Sequence, residues 1–175
     1  IRLDNASRSG LLDGAREQLG VGGMVLALIE DLEAALKDVE LDRTGVGLDA
    51  GAAFMPAAAM LDEVWTRRSV APDRARGAFN ADPLGTLAET GRLPFSLEAA
   101  LAQVADLAAW TAANRPGVTA VQVGTTPYHH AGATATQDLA FSMATAVAYL
   151  RALLEAGMSP DAACGQIVFN YSVGC

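Results

Sequence analysis

The residues best suited to chemistry lie in one loop, where Tyr128, His129 and His130 follow a predicted strand. A phenol and an imidazole can both serve a substrate as hydrogen-bond donors. Groups just beyond the carboxyl end of a strand face the ligand site in proteins built from strand–helix units. Other polar residues follow or end predicted strands in the same way, at Asp4, Asp49, Asn80 and Asp82. These residue types therefore indicate a polar site at the carboxyl ends of the strands.

Each of these side chains also has a purely structural interpretation. A loop or helix-start position fits His129 and His130, because no Cys, Asp or Glu stands beside them at the spacing of metal ligands. Tyr128 fits packing at the rim of a barrel, with its hydroxyl satisfied locally. The aspartates fit loop caps that accept hydrogen bonds from backbone amides. We therefore predict no metal site and assign no catalytic residue from the sequence.

The segment 118–157 is predicted to form a strand, a loop and an amphipathic helix. Residues 118–123 alternate β-branched residues with small or polar ones, as a strand does, and a turn follows Gly124. Thr134 fits the helix N-cap with Gln137 as its capping-box partner, and Gly157 fits the left-handed residue that ends a helix. Apolar residues recur at helical spacing and predict the buried face of this helix, at Leu139, Met143, Val147, Leu150 and Leu154.

Strands and helices alternate along the rest of the chain. We predict strands at 1–3, 23–27, 45–49, 78–80, 118–123 and 167–171, and further helices at 11–19, 30–39, 54–65 and 97–113, the last one capped by Ser96. Such alternation predicts an α/β fold, a parallel sheet with helices outside. A closed (β/α)8 barrel needs eight strands and roughly 250 residues. We therefore expect residues 1–175 to form a single, incomplete barrel domain of a longer subunit, without its first strand and its last part.

Composition excludes several classes of function. The chain is 51% hydrophobic and 18% charged, with a net charge of −8 and no block of Lys or Arg. Nucleic acids and anionic membrane surfaces are therefore not expected partners. Apolar runs are too short to span a bilayer and no signal-peptide pattern is present, so we expect a cytoplasmic location. The two cysteines suggest neither zinc nor a redox pair, and Cys164 is predicted to be a small buried hydrophobe on a short helix.

Four phrases carry a family resemblance: GVGLDAGAAFMPAAAMLDEV, GAFNADPLGTLAETGRLP, AGATATQDLAF and YLRALLEAGMSPDAACGQIVFNYSVG. They resemble the barrel domain of the methylmalonyl-CoA mutase family, in order and in spacing, most firmly from Gly45 onward. The resemblance implies a TIM-type (β/α)8 barrel, part of which this chain covers. It also implies an adenosylcobalamin-dependent isomerase that interconverts methylmalonyl-CoA and succinyl-CoA.

The chain departs from the catalytic members of that family at several positions. Their Tyr-His pair falls on Thr126 and Pro127 here, their substrate-gripping Arg falls on Thr90, and their catalytic Gln falls on Asn80. The Tyr-His pair supplies a radical-stabilising phenol and a donor to the thioester carbonyl, whereas Pro127 has no donor at all. The resemblance therefore implies the small, non-catalytic subunit of the bacterial two-chain enzyme. Its partner would be the large catalytic subunit, in a heterodimer.

Two other functions stay open. The chain could be an active mutase in which Tyr128 and His129 have taken over the lost roles, or a barrel fragment that binds a small molecule or another protein. Arg92 could replace the carboxylate grip lost at Thr90, and acyl-CoA is a further candidate ligand. The candidate substrate-binding residues are Asn80, Asp82, Arg92, Thr126, Tyr128, His129 and His130.

Two further expectations follow from the family. Its chains bind cobalt through an Asp-x-His-x-x-Gly motif in a separate domain, which we expect to be absent from this chain; neither histidine fits the motif, because Gly132 comes too soon. We therefore expect no adenosylcobalamin on this chain alone. A structural subunit should also fill its barrel axis with bulky side chains, and strand alternation directs either Phe169 and Tyr171 or Asn170 toward that axis.

Overall fold

The computed structural model describes residues 1–10 and 15–173 and contains a four-stranded parallel sheet. Its strands follow chain order: β1 (Val46–Gly47), β2 (Gly77–Ala81), β3 (Val118–Gly124) and β4 (Ile167–Asn170). Every neighbouring pair is parallel. Helices flank the sheet, so the predicted α/β class is confirmed and the architecture is consistent with part of a barrel.

Helices occupy most of the chain between the strands. They are α1 (Asn5–Ser9), α2 (Ile29–Ala35), α3 (Phe54–Arg67), α4 (Pro83–Thr90), α5 (Leu97–Asn114), α6 (Thr126–His130), α7 (Ala135–Glu155) and α8 (Pro160–Gly165), with 3₁₀ turns at Ala15–Gln18 and Gly51–Ala53. Two predicted caps are confirmed. Ser96 accepts a hydrogen bond from the Ala99 amide, and Thr134 forms the reciprocal capping box with Gln137. The turn predicted after Gly124 continues as the short helix α6.

The amino-terminal part of the chain is less regular than predicted. In place of strands at 1–3 and 23–27 there are two isolated parallel bridges, Arg2 with Asp49 and Leu3 with Met24. Glycines explain why no regular strand forms at 23–27. Gly20 and Gly22 have left-handed φ angles of 71° and 75° and turn the backbone just before this segment. Of the helix predicted at 11–19, residues 11–14 lie outside the described residues.

The core lies between the sheet and the helices. Its largest fully buried side chains include Phe54, Leu61, Trp65, Phe79, Tyr149 and Leu153. Trp65 of α3 packs on Phe79 of β2 with the ring centroids 6.0 Å apart. Burial of these aromatic side chains fixes the outer helices on the strands that carry the candidate site.

The prediction of the buried face of α7 is wrong for four of its five residues, whereas Leu150 is partly buried and packs against the core. Leu139, Met143, Val147 and Leu154 are 53%, 51%, 41% and 37% exposed in this chain. The buried face instead carries Asp138, Ser142, Thr145, Ala146, Tyr149 and Leu153. The periodicity of the sequence points to the more apolar side of the helix as the buried one. In the structure the buried side instead carries polar groups that form hydrogen bonds with residues outside α7. Asp138 pairs with His129, Ser142 with Tyr171, and Tyr149 with Asp82.

Two further observations concern the surface. Cys164 lies on the short helix α8 as predicted, but it is exposed, because Ala163 is the residue of that helix that faces the core. Within the described part of the chain, no helix combines the length and the apolar character needed to cross a membrane.

Candidate functional site

A small polar cleft opens at the carboxyl ends of the strands, where strand–helix proteins place their sites. Its volume is about 160 Å³. The polar residues that line it are Arg2, Arg8, Asp49, Asn80, Asp82, Thr86, Glu89, Gln122, Thr126 and Asn170. Among the seven residues named from the sequence, the structure therefore brings Asn80, Asp82 and Thr126 together.

An irregularity in β2 directs Asn80 into the cleft. The register between β2 and β3 shifts between Ala78 and Ala81, and Asn80 has a left-handed φ of 54°. Asparagine tolerates this conformation better than most residues, and such irregularities re-aim side chains near functional sites. The Asn80 side-chain amide donates to the Leu48 carbonyl at 2.8 Å. Asn80 thus links the ends of neighbouring strands while it lines the cleft.

Asp82 is buried and accepts several hydrogen bonds. Its Oδ1 accepts from the Gly85 amide at 2.9 Å and from the Tyr149 hydroxyl at 2.6 Å, and its Oδ2 accepts from the Gly124 amide at 3.0 Å. The Tyr149 hydroxyl in turn accepts from the Leu84 amide at 2.9 Å. Burial raises the pKa of Asp82, and burial together with the nearby carboxyl raises the pKa of Tyr149 well above its usual value. Asp82 therefore anchors the ends of β2 and β3 to α7.

Opposite charges compensate one another at the rim of the cleft. Arg8 pairs with Asp49 at 3.0 Å and with Glu89 at 3.1 Å, and Arg2 also pairs with Asp49 at 3.2 Å. A ligand carboxylate would have to compete with these side chains for the guanidinium groups. The rim therefore offers an anion little free positive charge.

Thr126 and Pro127 occupy the wall of the cleft next to the end of β3. The Thr126 hydroxyl lies 2.9 Å from that of Ser172, and the Ser172 amide donates to the Thr125 hydroxyl at 2.8 Å. These contacts join the start of α6 to the segment after β4. The Thr126 hydroxyl is thus engaged within the protein, and Pro127 contributes no donor.

Tyr128 and His129 turn away from the cleft toward α7. The Tyr128 ring packs on Phe141 with the centroids 5.0 Å apart, and His129 Nδ1 lies 2.9 Å from Asp138 Oδ2. Asp138 is buried, and its Oδ1 has no hydrogen-bond partner within residues 1–10 and 15–173. His130 and Arg92 are exposed and do not line the cleft. The cleft formed by Asn80, Asp82 and Thr126 therefore does not include the other four candidates, Arg92, Tyr128, His129 and His130.

The parallel register decides which residue of β4 faces the cleft. Gly124 pairs with Asn170 and Val123 with Phe169, and paired residues of parallel strands point to the same side. Asn170 lines the cleft, whereas Tyr171 meets Ser142 of α7 at 3.0 Å and Phe169 stacks on Tyr171 at 5.9 Å. The residue of β4 that faces the cleft is therefore the amide, and this aromatic pair does not supply the bulky filling expected of a structural subunit.

Sequence reasoning missed Arg8 and Gln122 as residues of the site. Strand alternation in β3 could have found Gln122, because it separates two buried valines and must point to the other side of the sheet. Arg8 carries no comparable signal. It reaches the cleft only because α1 lies beside the 3₁₀ turn that follows β1.

Comparison with known proteins decides the family. The family model described as methylmalonyl-CoA mutase matches residues 1–175. The chain belongs to the methylmalonyl-CoA mutase family. Members of this family are isomerases, as the resemblance implied.

Named relatives refine that assignment. The chain is 42% identical to the methylmalonyl-CoA mutase small subunit of Streptomyces virginiae over 144 residues, which are 82% of the chain and 23% of that protein. It is 27% identical to the methylmalonyl-CoA mutase of Rhizobium meliloti (strain 1021), over 99% of the chain and 25% of that protein. To the large subunit of Streptomyces virginiae it is 25% identical, over 89% of the chain and 21% of that protein. The chain thus spans about a quarter of the length of these relatives.

Proposed function

We propose that this chain belongs to the non-catalytic small subunit of a cobalamin-dependent methylmalonyl-CoA mutase, in which it supports the large subunit that performs the isomerisation. The observation that carries the proposal is the wall of the cleft. Thr126 and Pro127 stand where the resemblance places the Tyr-His pair of catalytic chains, and no phenol or imidazole of the described residues lines the cleft.

The chemistry of the reaction supports this interpretation. A mutase barrel must hold the thioester and shield a radical that its cofactor generates. The Thr126 hydroxyl is hydrogen-bonded to that of Ser172. The Thr90 hydroxyl lies 2.8 Å from both the Thr86 and the Arg92 carbonyl oxygens and donates its one proton to either of them. Neither hydroxyl is free to replace the group that catalytic chains carry there. The cleft, about 160 Å³, is also smaller than the roughly 300–1,000 Å³ of typical ligand sites.

The contacts of Tyr128 and His129 do not favour a divergent active mutase. Both side chains are engaged with α7, Tyr128 with Phe141 and His129 with Asp138. A new catalytic pair would have to converge on the acyl group at hydrogen-bond distance. These two residues instead join α6 to α7.

Neither histidine of this chain stands in the family's Asp-x-His-x-x-Gly motif, because Gly132 comes too soon. His129 Nδ1 lies 2.9 Å from Asp138 Oδ2, and His130 is exposed at the end of α6. In the proposed enzyme the cobalamin belongs to the large subunit, which binds this chain in a heterodimer in the cytoplasm. We derive no catalytic step for the present chain.

The proposal is tested by assaying the isomerisation of methylmalonyl-CoA with adenosylcobalamin present. We expect no turnover from this chain alone and turnover from the large subunit, with the two chains co-purifying. Calorimetric titration of this chain with methylmalonyl-CoA should give no binding heat. Turnover by the chain alone, or failure to associate with the large subunit, would overturn the proposal.

A further inference from the structure

The cleft at the carboxyl ends of the strands has an unusually polar lining. As the described residues form it, the lining contains ten polar or charged residues, three glycines and Pro127. Ligand sites in proteins are ordinarily lined mostly by hydrophobic and aromatic side chains, with a small number of polar groups. A ligand with an apolar body would therefore find no matching surface here. The cleft instead suits a compact ligand that carries polar groups on all sides.

Three carboxamide side chains from three neighbouring strands line this cleft. Asn80 lies on β2, Gln122 on β3 and Asn170 on β4. The Asn80 amide group donates to the Leu48 carbonyl. Within residues 1–10 and 15–173, the carboxamides of Gln122 and Asn170 have no hydrogen-bond partner. Each of these two side chains can therefore donate to a ligand and accept from it at the same time.

Gly124 makes room among these side chains. The strand register places it opposite Asn170, and Gln122 points to the same side from two residues earlier. A Cβ atom at position 124 would lie 3.2 Å from Asp82 Oδ2 and 3.3 Å from Gln122 Nε2. Any side chain here would crowd both groups. The glycine thus keeps open the space between the carboxamides of β3 and β4.

The charges around the cleft disfavour an ionic ligand. Arg8 pairs with Asp49 and Glu89, and Arg2 pairs with Asp49. Both oxygens of the buried Asp82 accept hydrogen bonds from the protein. A charged ligand would have to compete with one of these ion pairs or approach a carboxyl group that already has its donors. A neutral ligand with hydrogen-bond donors and acceptors avoids both costs.

We propose that this cleft binds a small neutral polyol, a short carbon chain with hydroxyl groups on adjacent atoms. A hydroxyl group donates and accepts through a single oxygen, so two neighbouring hydroxyls can bind one carboxamide at both its carbonyl and its amide end. The volume of about 160 Å³ matches such a compact ligand. The inference goes beyond the proposed function, because it assigns this chain a ligand of its own and no part in the isomerisation.

The experiment measures binding of erythritol to the full-length protein by saturation-transfer difference NMR, which detects weak ligands of large proteins. Two probes share its carbon skeleton: n-butanol lacks the adjacent hydroxyls, and tartrate keeps the inner hydroxyls but ends in carboxylates. Gln122→Met and Asn170→Leu each remove one carboxamide with little change in size. Gln103→Met is the matched control, because Gln103 is a partly buried residue of α5 outside the cleft. Circular dichroism checks that each variant is folded.

We expect erythritol to give a saturable signal that neither n-butanol nor tartrate displaces. Gln122→Met and Asn170→Leu should each raise the Kd for erythritol by roughly fivefold, because each removes hydrogen bonds to the ligand, whereas Gln103→Met should leave it unchanged. No saturable signal from the wild type would overturn the proposal and show that the cleft is filled in the full-length protein. Equal binding by the wild type and both cleft variants would place the polyol elsewhere and overturn it too, and tighter binding of tartrate would replace the neutral ligand by an anion. These outcomes leave the proposed function untouched, because that function depends on association with the large subunit.

Discussion

Asp82 shows how a polar residue at the end of a strand can be part of the framework. It follows β2 at the place where a barrel presents its polar groups, and sequence reasoning named it as a substrate-binding candidate. Its oxygens accept from Gly85, Gly124 and Tyr149, so each oxygen has a donor within the protein. A buried carboxyl group with these partners stabilises the strand ends, and its removal leaves buried donors unpaired.

The Tyr149 hydroxyl should therefore contribute to stability. Tyr149→Phe removes the donor to Asp82 and the acceptor for the Leu84 amide. We expect the free energy of unfolding to fall by about 1–3 kcal/mol, because the buried Asp82 carboxyl loses a donor and the partly buried Leu84 amide loses its acceptor. Urea unfolding at neutral pH measures the change. Tyr128→Phe is the matched control, since no hydrogen bond of the Tyr128 hydroxyl occurs among the described residues, and an equal loss in both variants would contradict this role.

Alkaline pH should act through the same residue. Burial raises the folded-state pKa of Tyr149 above the ordinary value of 10.0, so the folded state favours the neutral phenol. This contribution to stability is fully present below pH 10 and is lost as the pH rises through the folded-state pKa. The slope of unfolding free energy against pH in that window should be shallower in Tyr149→Phe than in the wild type. Parallel slopes would show that Tyr149 does not cause the alkaline loss.

At the scale of elements, α7 has one feature that the sequence predicts, its N-cap, and one that it does not, its buried face. Its N-cap pair, Thr134 and Gln137, could be predicted because capping depends on neighbours within one turn. Its buried face could not, because Ser142 and Tyr149 contact residues that are far away in the chain: Tyr171, which follows β4, and Asp82, which follows β2. The same distinction separates the residues of the cleft. Asn80 and Asp82 follow a predicted strand, whereas Arg8 arrives from another element through tertiary packing.

Loss of the cap should weaken α7 by a defined amount. Thr134→Ala removes the side chain that accepts from the Gln137 amide. We expect unfolding free energy to fall by about 1 kcal/mol, the usual cost of losing a Thr cap. Thr136→Ala, an exposed substitution in the first turn of the same helix, should be neutral or slightly stabilising because Ala favours helix. Equal destabilisation of both variants in urea titrations would exclude a capping effect.

The two faces of α7 should respond oppositely to substitution. Leu153 is fully buried, and Leu153→Ala should lower the free energy of unfolding by about 2–5 kcal/mol. Met143 is exposed, and Met143→Gln should change the free energy of unfolding by less than about 0.5 kcal/mol. Both are measured by urea unfolding of the chain alone. A large loss of stability in Met143→Gln would show that Met143 is buried, as the periodicity of the sequence predicts.

At the scale of the whole molecule, apolar surface concentrates at one margin of the sheet. Phe169 and Tyr171 are exposed, and so are Leu139 and Met143 on the outward face of α7. Exposed apolar side chains of this size favour association between chains.

Salt should therefore change the self-association of the chain. The isolated chain carries a net charge of −8, so salt screens the repulsion between copies and should strengthen self-association through the apolar margin. Sedimentation velocity at low and high ionic strength measures this change. Leu139→Gln combined with Met143→Gln should reduce self-association, because both side chains are about half exposed on that margin. Trp110→Ala removes an exposed apolar side chain of α5 without changing the net charge and serves as the control, since it should leave the salt-strengthened association in place. Self-association that weakens with salt would instead place the contact between charged groups and contradict an apolar margin.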